Sequence, residues 1–278
     1  EEGGFYMETK RVTAVYFSPC GNAGKIAERI AASMEEVLQA ERAKVDFTLP
    51  GAREQVYTFG PEDVVVFVMP VYAGRLPNKM LPCVQELFKG DHTKAVIACS
   101  YGNRSFGDGL TELRDELVNN GFVPFAAAAI PSEHSFDSRL ATGRPNAEDL
   151  EAIGAFAKQA AERITAGTAE TIVQVPGNSP VGPYYTPLGR DGQPAKFLKA
   201  KPLTDMEKCS KCGICAGACP MGSIEADCVT VSGVCIKCQA CVRKCPAGAK
   251  YFEDPAFLSH KEMLVENFTA RKENEFFI

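Results

Sequence analysis

CSKCGICAGACP at residues 209–220 and CIKCQACVRKCP at residues 235–246 carry one pattern twice, C-x2-C-x2-C-x3-C-P. Three thiolates two residues apart can wrap one iron–sulfur cubane from a tight loop. The fourth, set before a proline, turns away from its own loop toward the other cluster. The pattern therefore assigns Cys209, Cys212, Cys215 and Cys245 to one 4Fe-4S cluster, and Cys235, Cys238, Cys241 and Cys219 to a second. A structural zinc ion usually takes two C-x2-C units across a longer spacer, and a triple run crowds a tetrahedral ion. A disulfide framework needs an oxidising compartment, and no secretory h-region with a small-residue cleavage site is visible. Metal ligation by thiolate is the reading that remains.

Over roughly residues 203–252 the chain resembles the bacterial-type two-cluster ferredoxins, which implies a small α+β domain with residues 224–234 as a short hairpin between the cluster loops. Cys228 falls in that hairpin, outside both ligand patterns, and reads as a spare thiol. Cys83 and Cys99 read as helix and core-strand filler.

The remaining chain bounds the class. Its 278 residues suit one medium domain and a smaller one, and 45% hydrophobic residues supply an ample core. Eight of twelve cysteines lie in one run, which points to cluster chemistry in a reducing cytoplasm and an organism that tolerates oxygen poorly. A formal net charge of −5 with no Lys/Arg-rich run argues against nucleic acid as a partner. No apolar run is long enough to span a bilayer, so a soluble protein is expected. The stretch before Met7 is set aside as foreign to the fold.

From residue 11 to about 165, short apolar strands alternate with helical patterns. Residues 12–17, 44–48, 64–69, 95–100 and 122–130 are the strand candidates, several of them continuous apolar runs suited to burial on both faces. Ile26, Ile30, Val37 and Leu38 stripe a helix over about 22–40. Leu110, Leu113, Leu117 and Val118 stripe another near 106–119, and Leu150, Ile153, Phe156, Ala157 and Ile164 a closing one. Five strands with interleaved helices predict an α/β fold, a doubly wound five-stranded parallel sheet whose ligands bind beyond the strands' carboxyl ends.

Three loops at those ends are informative. The first strand runs into Ser18-Pro19-Cys20-Gly21-Asn22-Ala23-Gly24-Lys25, a small-residue turn opening a helix, where backbone N–H groups can face a phosphate. It lacks both G-x-G-x-x-G and the G-K-[ST] ending, so neither NAD nor ATP is favoured, and a plain tight connection is also compatible. Pro70, Val71, Tyr72, Ala73, Gly74 and Arg75 follow the third strand, while Ser100, Tyr101, Gly102, Asn103 and Arg104 follow the fourth. Each of these two loops sets an aromatic ring beside a glycine.

With these loops the chain resembles the flavodoxin family over roughly residues 11–166. The resemblance implies an FMN phosphate on the first loop and an isoalloxazine ring flanked by the other two. Ser18 matches a phosphate-binding hydroxyl, Gly21 and Asn22 match the Gly-Asn that exposes backbone donors, and Tyr72 and Tyr101 are the rings to stack on or edge the flavin. Cys20 and Ala23 stand where the family has threonine, which leaves more of the binding to backbone N–H groups. Cys20 is open to two readings, a small neutral filler or a thiol activated by the helix N-terminus. Gly74 and Gly102 would free the backbone near the flavin or serve as ordinary turn glycines. Arg75 and Arg104 would set positive charge near a reduced flavin or stand in solvent.

Residues 131–145 form a polar loop that leaves a strand on the same side, as flavin cover, docking surface or substrate contact. His134 within it reads as a proton donor or an ordinary hydrogen-bonded residue. Residues 167–202, rich in proline and glycine with Tyr184 and Tyr185, read as an extended linker lying along a surface. After residue 252, Asp254-Pro255 starts a helix, with Phe257, Leu258, Leu264, Val265 and Phe268 as its apolar stripe.

The whole, as units 7–166, 167–202, 203–252 and 253–278, resembles the flavodoxin-ferredoxin fusion proteins of anaerobic prokaryotes, whose reactions are mostly unassigned. The resemblance implies electron transfer between one-electron carriers and FMN through two 4Fe-4S clusters, with a soluble redox protein such as a ferredoxin or reductase as partner. A reductase in which FMN serves a small organic acceptor is the alternative. An FMN-free docking scaffold is a third reading, and a homodimer would bring the flavin of one subunit to the clusters of another.

Overall fold

Apolar runs without alternation need cover on both faces, and a sheet between two helix layers supplies it. The structure is a computed structural model that describes residues 8–278, so Met7 and the stretch before it lie outside the described residues. Strands β1 (Arg11–Tyr16), β2 (Glu41–Asp46), β3 (Asp63–Pro70), β4 (Thr93–Tyr101) and β5 (Phe122–Pro131) pair in parallel in the order β2-β1-β3-β4-β5. This is the flavodoxin-like doubly wound order. Helices α1 (Asn22–Leu38), α2 (Leu81–Leu87), α3 (Gly109–Asn119) and α4 (Ala147–Thr165) cover it.

Successive side chains along a strand face opposite ways, and the two cores divide on that period. Val12, Ala14, Val64, Val66, Val68, Val96 and Ala98 face Ile26 and Ile30 of α1 and Ile153, Ala157 and Ala160 of α4. Val15, Val65, Phe67, Met69, Ala95, Ile97 and Cys99 face Val84 of α2 and Leu110, Leu113 and Leu117 of α3.

The sheet has a sixth strand that the sequence reading did not include. β6 (Glu275–Phe277) returns from the carboxyl end and pairs antiparallel with β5, Phe276 opposite Ala128. The ring of Phe276 stacks on Phe156 of α4, centroids 4.9 Å apart. The second strand also begins earlier than expected, at Glu41, while Phe47 and Thr48 turn inward and are buried.

Between Thr165 and Leu203 there is no helix or strand, as the proline and glycine content predicted. The segment is nonetheless anchored: the Val173 N–H donates to Pro124 O at 2.8 Å, the Tyr185 N–H to Ala73 O at 2.8 Å, and the Tyr184 hydroxyl to Leu76 O at 2.8 Å. Two short strands, Leu203–Thr204 and Lys250–Tyr251, pair antiparallel and bracket the cysteine loops. Within those loops lie the one-turn helices α5 (Ile214–Gly217) and α6 (Ala240–Arg243), with a bridge between Ile224 and Val231 at the predicted hairpin. The last helix, α7 (Pro255–Asn267), starts where the sequence placed it: Asp254 Oδ1 accepts the Phe257 N–H at 2.9 Å, and Phe257, Met263 and Leu264 are buried. No helix among the described residues is long and apolar enough to cross a membrane.

Candidate functional site

The first loop is shaped by Gly21, whose φ of +96° favours glycine and turns the chain into α1. Ser18 Oγ accepts the Gly24 N–H at 2.9 Å, closing one free amide of the first turn. The N–H groups of Asn22 and Ala23 donate to no protein acceptor among the described residues, which leaves two donors and the positive helix end for an anion. The Asn22 side chain ties the loop sideways, Nδ2 donating to Glu133 O at 3.1 Å.

The surroundings of Cys20 disfavour a thiolate. Burial pushes its thiol up to about 11, against the opposing charges of Arg243 and Lys244. Its Sγ–H donates to Cys238 O at 3.0 Å, so the residue joins the sheet's first loop to the second cysteine loop. Tyr72 stands in the same seam. Burial first, then the neighbouring thiols of Cys238, Cys20 and Cys235, raise its hydroxyl well above the ordinary tyrosine value.

One cavity of about 480 Å³ gathers most of the predicted loop residues: Ser18, Cys20, Asn22, Ala23, Pro70, Val71, Tyr72, Ala73, Gly74, Ser100, Tyr101, Gly102, Arg104 and His134 all line it. Its size is within the range of cofactor and small-molecule sites. Tyr101 is buried, its ring edge-on to Phe106 at 5.4 Å.

Three predicted residues are placed elsewhere. Gly21 shapes the turn without lining the cavity. Arg75 is drawn away by the buried carboxylate of Glu112, with which it pairs, and lies over the Tyr184 ring at 4.6 Å. Asn103 holds the carboxyl-terminal segment, Nδ2 donating to Phe268 O at 2.6 Å and Ala270 O at 2.9 Å.

Arg104 does face the cavity. Its guanidinium lies 3.8 Å over the Tyr185 ring and pairs with no carboxylate among the described residues, and burial lowers its pKa. His134 Nδ1 accepts the Phe136 N–H at 3.0 Å, so the neutral ring keeps its proton on Nε2. Burial, then the fields of His260, Arg243 and Arg104, push its pKa down to about 3. Gly102 is required beside it, because a Cβ there would fall 2.2 Å from the imidazole.

The cavity's roof was not legible as such. Tyr184, Tyr185, Phe197 and Leu198 come from the segment without regular structure, Val234 to Cys238 from the second cysteine loop, and His260 and Leu264 from α7. His260 Nδ1 is held by Leu188 O at 2.8 Å. Only the tyrosines carried a signal, as aromatics among prolines and glycines.

The eight cysteines of the two patterns line two separate small spaces. One small space is lined by Cys209, Cys212, Cys215 and Cys245, and another by Cys219, Cys235, Cys238 and Cys241. All twelve thiols are free. Amide N–H groups aim at the sulfurs, Ser223 to Cys219 at 3.3 Å, Lys237 to Cys235 at 3.4 Å and Ala249 to Cys245 at 3.3 Å. At Cys245 burial opposes ionisation, but the N–H groups of Ala249, Ala247, Lys250 and Gly248 together bring the thiol below its ordinary pKa. Four soft donors around one space, with amides stabilising sulfur charge, fit an iron–sulfur cluster. Cys228 is closer to the chemistry than a spare thiol needs to be: it is buried and lines the first space. Cys212 is exposed, whereas Cys238 is buried and lines both the second space and the large cavity.

Residues 202–225 match the Fer4 family, a 4Fe-4S binding domain; the match contains the first cysteine pattern, and the second lies beyond it. No curated protein matches the chain. Among solved structures it is similar to a flavodoxin from the domain Archaea, at 12% identity over 56% of this chain and 99% of that one, TM-score 0.37. It is similar also to the two-electron reduced flavodoxin of Megasphaera elsdenii, at 18% identity over 54% and 99%, TM-score 0.34. The rubredoxin oxygen:oxidoreductase of the anaerobe Desulfovibrio gigas is 16% identical over 58% of this chain and 38% of that one, TM-score 0.38. At these scores the flavodoxin-like fold of residues 11–165 rests on its own strand order, and the Fer4 likeness is that of residues 202–225.

Proposed function

We propose that the chain transfers electrons between a low-potential one-electron carrier protein and FMN through two 4Fe-4S clusters. FMN would occupy the large cavity, its phosphate on the Asn22 and Ala23 amides, and the two cysteine sets would hold the clusters. When bound, the clusters supply single electrons and the flavin holds one or two, so the chain joins the two kinds of traffic. The observation that carries this reading is the double position of Cys238, in the wall of the second cysteine space and of the cavity at once. The exposed Cys212 makes the first set the side open to a protein partner. We take residues 7–166, 203–252 and 253–278 as the working units, joined by 167–202.

A second reading, an FMN-dependent reductase of a small organic acceptor fed by the clusters, is favoured by the roof. A pure carrier needs an open flavin edge, whereas here Tyr185, Phe197, His260 and Leu264 add apolar and aromatic surface to the cavity lining, as a pocket for an organic acceptor requires.

The test is anaerobic purification with iron, sulfide and flavin quantitation, then reduction by a low-potential ferredoxin while the flavin absorbance is followed. The expected outcome is about eight irons and one FMN per chain, with bleaching that requires the clusters. Full iron occupancy with no FMN after reconstitution would overturn both readings.

A further inference from the structure

The cavity holds a charge that the fold does not use. The nearby carboxylates are already paired, Glu133 with Arg243 at 2.6 Å and Asp137 with Arg139 at 2.7 Å, while Lys79, a second cation in the cavity lining, stands exposed to solvent. Arg104 has only the face of Tyr185, and its guanidinium donates to no protein acceptor among the described residues. Arg104 is partly buried, a guanidinium drawn partly out of water without a partner is costly to hold, and a planar carboxylate is the group whose two oxygens match its fork. His134 adds a donor, since its Nε2–H has no protein acceptor among the described residues. Around these two lie flat apolar surfaces, the rings of Tyr185, Phe136 and Phe197.

We propose that this cavity binds a small planar carboxylate beside the flavin, with Arg104 as its charge anchor, His134 Nε2–H as a second donor and the aromatic roof against its body. The inference rests on the flavin reading of the same cavity and names the class of acceptor for the reductase form of it. An anionic group of the flavin would answer to Arg104 by the same chemistry, so the test separates the two sources.

The chain is purified with its cofactors, its flavin content is measured, and it is titrated with benzoate and with benzamide, the neutral isostere, by calorimetry and flavin absorbance. Benzoate is expected to bind at least about tenfold more tightly than benzamide, and Arg104→Gln to abolish that preference while retaining its flavin. Equal binding of the two probes, or none, in flavin-loaded wild-type protein overturns the inference without recourse to a variant. A preference that survives in Arg104→Gln overturns it too, as does loss of flavin from that variant in place of loss of the preference, which assigns the anion to the flavin. A chain that binds no FMN yet prefers benzoate through Arg104 keeps the carboxylate site and sinks the flavin reading, so the two failures are distinguishable.

Discussion

His134 faces the cavity with acid–base behaviour strongly displaced by burial. Its pKa is about 3 in the fold against an ordinary 6.5, so between those values the unfolded chain binds a proton that the folded chain refuses. Stability from this residue is therefore complete above about pH 6.5 and is lost as pH falls toward 3. His260, also lowered by burial, acts in the same direction. Replacing His134 by Gln should flatten the fall in stability between about pH 6.5 and 3, read from urea melts at a series of pH values. A cavity event with a pH midpoint near 7 has another source. A buried pair decides the position of Arg75: Glu112, 3% exposed, accepts from the Leu76 N–H at 2.8 Å and from the guanidinium. Glu112→Gln should cost about 3 kcal/mol by denaturant titration, because it strands a largely buried cation.

Much of the architecture was legible because its elements are locally consistent. Residues 64–69 and 95–99 are apolar without interruption and became the central strands β3 and β4, and the leucines at 110, 113 and 117 became the buried face of α3. Edge elements were harder. β2 is exposed along most of its length, so its pattern set no boundary, and α2 buries only Val84. β6 is three residues whose pairing is dictated by the open edge of β5, a long-range fact that no local window contains. It is nevertheless a structural strap: Phe276→Ala removes the stack on Phe156 and should cost about 2 kcal/mol, with hydrogen exchange rising along β5. The three loops that line the cavity could be singled out because each begins at a strand's carboxyl end. The placements of Arg75 and Asn103 were not legible, since Glu112 and the carbonyls of Phe268 and Ala270 reach them from distant parts of the chain.

At the scale of the molecule, the two cysteine sets differ in what else they touch. Cys238 is part of the cavity wall and Cys212 is on the surface. Cys212→Ser should lower the iron content and leave FMN retention near that of the wild type. Cys238→Ser should lose iron and weaken FMN retention together, both read by metal and flavin analysis after gel filtration. Equal FMN loss in the two variants would mean that the wall has no such selectivity. The roof brings together residues 184–198, 234–238 and 260–264, segments the sequence keeps far apart. Such a lid exists only once the last turn of α7 has docked, so the floor formed by the first five strands is complete in the growing chain long before its cover. A guest as large as the chamber has its free passage in that interval. Afterwards Tyr185, His260 and Leu264 stand in the chamber wall, so a guest bound there touches both the earliest and the latest parts of the chain to fold.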